Sequence, residues 1–329
     1  MKRNFKAFTA YQNKNGDFKS KIIIKDITDL PDGDLLVKVK YSSLNYKDAL
    51  SASGSKGITK YYPHTPGIDA AGVIVKSKDI NFRINDRVIV TGFDLGMNTS
   101  GGFAEYIKVP STWAIQCPNS LSTKEAMILG TAGLTAGLCV NEIEANAKIK
   151  QLNVVVSGST GGVGSIAIML LSNLGAKVTS ITGKKNKDEY LWNLGSSEII
   201  DRNHFIKSTR LPLNRGNFDA AIDVVGGKIL SSIIASMKYN GLITVCGNVA
   251  KPNFATTVFP FILRSNRLIG IDSASHPIAI REKIWNKFAS SWKIENLNLI
   301  AKVINLSDLG NEIKKILCGK QIGRVIVKL

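Results

Sequence analysis

Residues 153–183, NVVVSGSTGGVGSIAIMLLSNLGAKVTSITG, limit the fold more than any other stretch of this 329-residue chain. A short β-branched run at 153–157 ends on a glycine and reads as a fully buried strand. Gly158, Gly161 and Gly164 then form GxxGxxG. An apolar segment of helical length follows, about 162–174, and a second buried strand runs over 177–181. The alternation continues downstream. EYLWNLG predicts a helix, SEIID and FDAAIDVVG strands, KILSSIIASM a helix and GLITVCG a strand, and RLIGIDS at 267–273 supplies a last strand. Strands and helices alternating at these lengths predict an α/β unit with a doubly wound parallel sheet.

The glycines have a chemical reading as well. Without a Cβ, the backbone can turn tightly and approach a pyrophosphate, while the following helix offers free N–H groups and the positive end of its dipole. The motif is weak alone, but the strand–turn–helix–strand context it requires is present. Thr160, Gly161, Gly162 and Val163 are therefore candidate pyrophosphate contacts. About twenty residues past the turn, an NAD site usually carries Asp or Glu for the ribose 2′-hydroxyl. Here the second strand ends in Thr182, Gly183 and Lys184, with Arg202 after SEIID. A hydroxyl, an unhindered N–H and cations suit a 2′-phosphate. The expected cofactor is NADPH. The plainer alternative makes Lys184 and Arg202 solvated surface charges.

Residues 1–120 have another texture. LLVKVKYSSL, AAGVIVKS, DRVIVTGF and FAEYIKVP are short β-rich runs between Gly/Pro/Asp turns, as in a barrel-like unit. Near Ser122 the pattern becomes helical, with Ser122 and Glu125 spaced as a capping box. After the last alternating strand, HPIAIREKIWNKFASSW reads as an amphipathic helix. The tail reads as a helix plus one strand that rejoins the first unit. The formal net charge is +18. The lysines are scattered, no aromatic-interleaved basic motif accompanies them, and no nucleic-acid partner is expected. No apolar run is read as approaching the roughly 20 residues of a membrane span. Cys117, Cys139, Cys246 and Cys318 show no CxxC spacing, so neither a zinc knuckle nor a disulfide framework is indicated and a cytoplasmic protein is expected. His64, His204 and His276 have no metal spacing and are read as loop or surface residues.

A β-rich first unit, an inserted dinucleotide unit and a returning tail resemble the medium-chain dehydrogenase/reductase superfamily. Its zinc enzymes place a Cys in the first domain and a Gly-His-Glu about twenty residues later. The matching positions here are Asn45, in SSLNYKDAL, and Gly67-Ile68-Asp69, in TPGIDAAG. An amide and an alkyl group replace thiolate and imidazole, which cannot hold tetrahedral zinc. The ordered set SSLNYKDAL, YYPHTPGIDAAG, GTAGLTAGLCV, GSTGGVG, PFILR and IGIDS is similar to the YhdH/YhfP-type quinone oxidoreductases, the group containing acrylyl-CoA reductase. The similarity covers nearly the whole chain. ITGK stands where that group has Ser-Gly-Arg, so the clamp keeps charge and loses a planar fork.

The resemblance implies a GroES-like catalytic domain over 1–122 and 274–329, a Rossmann domain over 123–273, and a homodimer formed through the edge of the Rossmann sheet. It also implies a small-molecule substrate, either an α,β-unsaturated acyl-CoA or a quinone. A non-catalytic nucleotide- or nucleic-acid-binding role on the same fold is the remaining alternative. Asn45 and Asp69 are the catalytic candidates. Asn45 would donate to a developing enolate oxygen, and Asp69 would orient Asn45 or Lys47 or relay a proton. Structural alternatives, an Asx turn for Asn45 and a turn cap for Asp69, stay open. Lys47 and Asp48 are expected to pair locally. Tyr46 reads as a cofactor contact, Asn248 as another just beyond the GLITVCG strand at the carboxyl edge of the sheet, and Ile262 and Ser273 as lying near the nicotinamide end. Arg324 either contacts phosphate or pins the tail strand.

Overall fold

The computed structural model describes residues 3–209 and 211–329. In chain order, strands β1 (Asn4–Gln12) and β2 (Phe18–Asp26) form a hairpin, followed by β3 (Leu35–Leu44), helix α1 (Tyr46–Ala52), β4 (Asp69–Ser77), β5 (Arg87–Thr91), β6 (Tyr106–Val109) and β7 (Ala114–Gln116). Helix α2 (Thr123–Asn146) leads into β8 (Asn153–Ser157), α3 (Gly162–Asn173), β9 (Lys177–Thr182), α4 (Asp188–Asn193), β10 (Glu198–Asp201), α5 (Arg202–Ser208), β11 (Phe218–Asp223), α6 (Gly227–Ala235), β12 (Met237–Val245), α7 (Phe259–Arg264) and β13 (Arg267–Gly270). The chain ends in α8 (Ile278–Phe288), β14 (Ala301–Asn305), α9 (Leu309–Leu317) and β15 (Arg324–Lys328).

Two compact units result. One comprises residues 1–131, 274–291 and 295–329, and the other 132–273 with 292–294. The first division falls at 131/132, within α2, whereas the expected 122/123 lies at the start of that helix. Ser122 and Glu125 start α2 with the expected reciprocal cap: the Ser122 N–H donates to Glu125 Oε2 at 2.8 Å, and the Glu125 N–H to Ser122 Oγ at 3.1 Å. By length and composition α2 could span a membrane, a point the sequence reading missed. With 83% of its most apolar window buried, it is a core helix.

In the second unit six parallel strands lie in the order β10-β9-β8-β11-β12-β13. Counted from β8, this is 3-2-1-4-5-6, so the strand order reverses between β8 and β11, where such sheets bind dinucleotides. Val154, Val155 and Val156 are fully buried, as a central strand covered on both faces requires. Ile229, Leu230, Ile233 and Ile234 of α6 pack on Val155, Ala221 and Ile243 of the sheet.

In the first unit a seven-stranded sheet runs β14-β15-β3-β4-β5-β7, with β6 also on β3. The tail from Asn305 supplies the expected helix and one strand, and β14, just before it, is a strand the sequence reading did not assign. The tail strand, β15, pairs antiparallel with β3 in the register Val325↔Leu44 and Ile326↔Ser43. That register sets Arg324 beside the β3–α1 junction.

Candidate active site

In the second unit the glycine turn links β8 to α3. Gly158 has φ +61°, and a Cβ at Gly164 would lie 2.4 Å from the Gly158 carbonyl oxygen, so both positions demand glycine. The turn is closed by the Gly161 N–H donating to the Gly158 carbonyl at 2.9 Å. Ser159 Oγ lies 2.8 Å from the Val156 carbonyl and 3.0 Å from that of Ile181, which ties the turn to β8 and β9. Gly162 and Val163 open α3, where first-turn N–H groups have no intrahelical acceptor. Thr160 is buried just ahead of them. Sequence reasoning missed Asp223. This buried carboxylate at the end of β11 accepts from Ser157 Oγ at 2.6 Å and from the Gly226 N–H at 2.8 Å, and burial pushes its pKa up. It joins the ends of β8 and β11 at the reversal. The available signal was a lone acid closing an apolar strand before two glycines.

Parallel pairing of β9 and β10 in the register Thr182↔Asp201 brings Lys184 and Arg202 to one end of the sheet. The Arg202 guanidinium lies against Gly183, where a Cβ would be 2.8 Å from its central carbon. The Lys184 N–H donates to Thr182 Oγ1 at 3.1 Å, and burial, with Lys187 adding, lowers the Lys184 ammonium pKa. Ser273 Oγ accepts from Thr135 Oγ1 at 2.7 Å. Asn248 is exposed beyond β12, and Ile262 is exposed on α7.

In the first unit the buried side chains around Asp69 form one network. Asp69 opens β4 with no exposed surface. Its Oδ2 accepts from Ser43 Oγ at 2.6 Å, Asn45 Nδ2 at 2.8 Å and the Thr131 N–H at 2.9 Å. Its Oδ1 accepts from Thr131 Oγ1 at 2.5 Å. The Thr131 contacts depend on Gly130. At φ +51° and ψ −152° this residue breaks the regular helix, and a Cβ there would lie 2.5 Å from Asp69 Oδ2. Arg324 corrects an expectation. It is not presented to a phosphate but is 2% exposed, with its donors spent inside the unit. Nε donates to the Ile128 carbonyl at 2.9 Å, Nη1 to Asn45 Oδ1 at 3.1 Å and Nη2 to Ser43 Oγ at 2.8 Å, and Nη2 is 3.7 Å from Asp69 Oδ2.

Asn45 is therefore held at both ends of its amide. Its Oδ1 faces Arg324, and its Nδ2 faces Asp69 and, at 3.2 Å, the Ser43 carbonyl. The donor expected for an enolate oxygen is already engaged. Of the two partners considered for Asp69, Asn45 and Lys47, its carboxylate contacts Asn45. Asp48 departs from its expected pairing with Lys47. It is fully buried and accepts the backbone N–H groups of Asn45 at 2.8 Å, Gly67 at 3.1 Å and Ile68 at 2.8 Å. Burial, with the nearby Asp69 charge adding, pushes the Asp48 pKa up to about 7 against those donors. Ile68 is buried. Tyr46, the first residue of α1, is 37% exposed. His64 is buried rather than at the surface, with Nε2 2.9 Å from the Gly96 carbonyl.

The donor set does not fit tetrahedral zinc. Ile68 has no ligating atom and the Asn45 amide is engaged. Among the described residues, no three His, Cys, Asp or Glu side chains gather.

Two family profiles match the chain: "Alcohol dehydrogenase GroES-like domain" over residues 31–119 and "Zinc-binding dehydrogenase" over 162–290. The chain is 40% identical to a Bacillus subtilis protein, YhfP, named for quinone oxidoreductase, over the full length of both. It is 38% identical to an Escherichia coli protein named for acrylyl-CoA reductase AcuI, covering 97% of this chain and 98% of that one. Among solved structures, YhdH oxidoreductase of Salmonella enterica in complex with NADP superposes with TM-score 0.94 at 38% identity, over 98% of this chain and 99% of that one. B. subtilis YhfP with NAD bound superposes with TM-score 0.96 at 38% identity, over the whole of both.

Proposed function

The chain belongs to the medium-chain dehydrogenase/reductase family, in its YhdH/YhfP/AcuI group, and from that membership we propose an NADPH-dependent reductase of a small α,β-unsaturated acyl-CoA, acrylyl-CoA to propanoyl-CoA. The observation that carries this reading is the Asn45–Asp69–Arg324 network beside Ile68, at the positions where the zinc enzymes carry ligands. Alcohol oxidation there would lack its Lewis acid, whereas reduction of a conjugated C=C bond needs none. When bound, the reduced nicotinamide supplies a hydride to the β-carbon of the enoyl thioester, and the resulting enolate takes a proton at the α-carbon.

The chain's own residues position the reactants. Thr160, Gly161, Gly162 and Val163 hold the pyrophosphate at the α3 N-terminus. Thr182, Gly183, Lys184 and Arg202 hold the 2′-phosphate and favour NADPH over NADH. Tyr46, Asn248, Ile262 and Ser273 contact the ribose and nicotinamide. Asn45 and Asp69 serve as a positioning pair, because the hydrogen bonds of the Asn45 amide fix the start of α1 and with it Tyr46. The protein acts as a cytoplasmic homodimer, paired through the β13 edge.

A second reading, NADPH:quinone oxidoreductase, uses the same cofactor residues and is favoured by the likeness to YhfP. NADPH oxidation measured side by side with acrylyl-CoA, crotonyl-CoA and a benzoquinone separates the two. Acrylyl-CoA turnover at least equal to that with quinone is expected. Turnover with quinone alone would move the assignment to the second reading.

A further inference from the structure

Tyr190 lies on α4, six residues beyond Lys184, and is partly buried. Its hydroxyl is 2.8 Å from Ser165 Oγ, and Ser165 Oγ is 3.2 Å from the Ser159 carbonyl oxygen. A serine hydroxyl has one proton and a carbonyl can only accept. The Ser165 proton therefore goes to Ser159, and Tyr190 donates to Ser165. Burial pushes the Tyr190 pKa up to about 12, so the phenol keeps its proton at neutral pH. Ser165 is fully buried in the first two turns of α3, and Leu191 anchors α4 with no exposed surface.

The end of this relay is a planar peptide. The Ser159 C=O and the Thr160 N–H belong to one rigid, trans unit and point in opposite directions. Fixing the carbonyl toward Ser165 fixes the aim of the N–H.

We propose that the Tyr190 hydroxyl is a positioning group of the dinucleotide site: through Ser165 it locks the Ser159–Thr160 peptide, aims the Thr160 N–H at the pyrophosphate, and ties the glycine turn to the segment that carries Lys184. The proposal rests on nucleotide binding by this unit, and not on whether the substrate is an acyl-CoA or a quinone.

Binding of NADPH and of NADH, followed by fluorescence without any second substrate, tests it in Tyr190→Phe, Ser165→Ala and the double variant. A hydrogen bond of ordinary strength predicts a five- to tenfold, roughly equal, weakening of both nucleotides in each single variant. The double variant should lose no more than either single one, and kcat at saturating NADPH should stay within about twofold. A residue that merely stabilises α4 would give additive losses, which would overturn the proposal. Unchanged affinities, or loss of NADPH affinity alone, would overturn it too. The second result would place the action of Tyr190 at Lys184 and not at the turn. Should Tyr190→Phe fail to fold, Ser165→Ala carries the same nucleotide test. Absence of nucleotide binding by the wild-type chain would instead sink the proposed function.

Discussion

At the scale of single residues, Arg324 and Asp48 decide most. Arg324 is a buried cation whose fork reaches the Ile128 carbonyl, Asn45, Ser43 and Asp69. Lysine keeps the charge but cannot span those acceptors. Arg324→Lys should lower kcat about tenfold or more while NADPH KM stays within about twofold, and Asn45→Ala should act in the same direction. Steady-state kinetics with NADPH as the varied substrate separates the possibilities: a raised KM with kcat preserved would restore the phosphate contact. Asp48 makes a prediction about stability. Its pKa is raised from 3.8 to about 7, so the native state binds an extra proton between those values. The contribution to stability is fully present below about pH 4 and is lost as pH rises through about 7. Asp48→Asn should flatten the dependence of urea-unfolding free energy on pH over that window. A slope unchanged from wild type would assign the titration to another group. Asn45, Asp48 and Asp69 were visible in SSLNYKDAL and TPGIDAAG and Arg324 in GRVIVKL, but their partners were not. Thr131 lies 62 residues beyond Asp69, and Arg324 lies 279 beyond Asn45.

Elements show how local patterns become a site. The β8–turn–α3–β9 unit was legible because glycine spacing and apolar run lengths are local properties. Helix α1 was not assigned, because its seven residues, YKDALSA, carry too short a pattern to register. It is held by long-range contacts from Asp48 to the backbone of Gly67 and Ile68. The β9–β10 pairing sets Lys184 and Arg202 at one sheet end, so charge reversal at that end should be selective. Lys184→Glu should weaken NADPH by about a hundredfold and NADH by less than about threefold, as read by fluorescence titration of both nucleotides. Equal losses would remove the argument for 2′-phosphate recognition.

For the molecule as a whole, the +18 charge remains without an assigned partner. The proposed homodimer has a surface that suits it. β13 is an edge strand, and Val258, Phe259 and Leu263 around the neighbouring α7 are all more than two-fifths exposed. Light scattering should give twice the 35.6 kDa chain mass, and Leu263→Glu should shift it toward one. A single-chain mass for the wild type would withdraw the dimer. By itself the sequence determined the doubly wound sheet and the glycine turn, since these follow from local periodicity and side-chain chemistry, while the match of Asn45 and Ile68 to metal-ligand positions came from the resemblance. Only the tertiary structure decided that Arg324 faces inward, that Asn45 has no idle donor, and that Tyr190 reaches Ser165. A side chain's free donors depend on which distant strand or helix packs beside it, and spacing along the chain does not encode that.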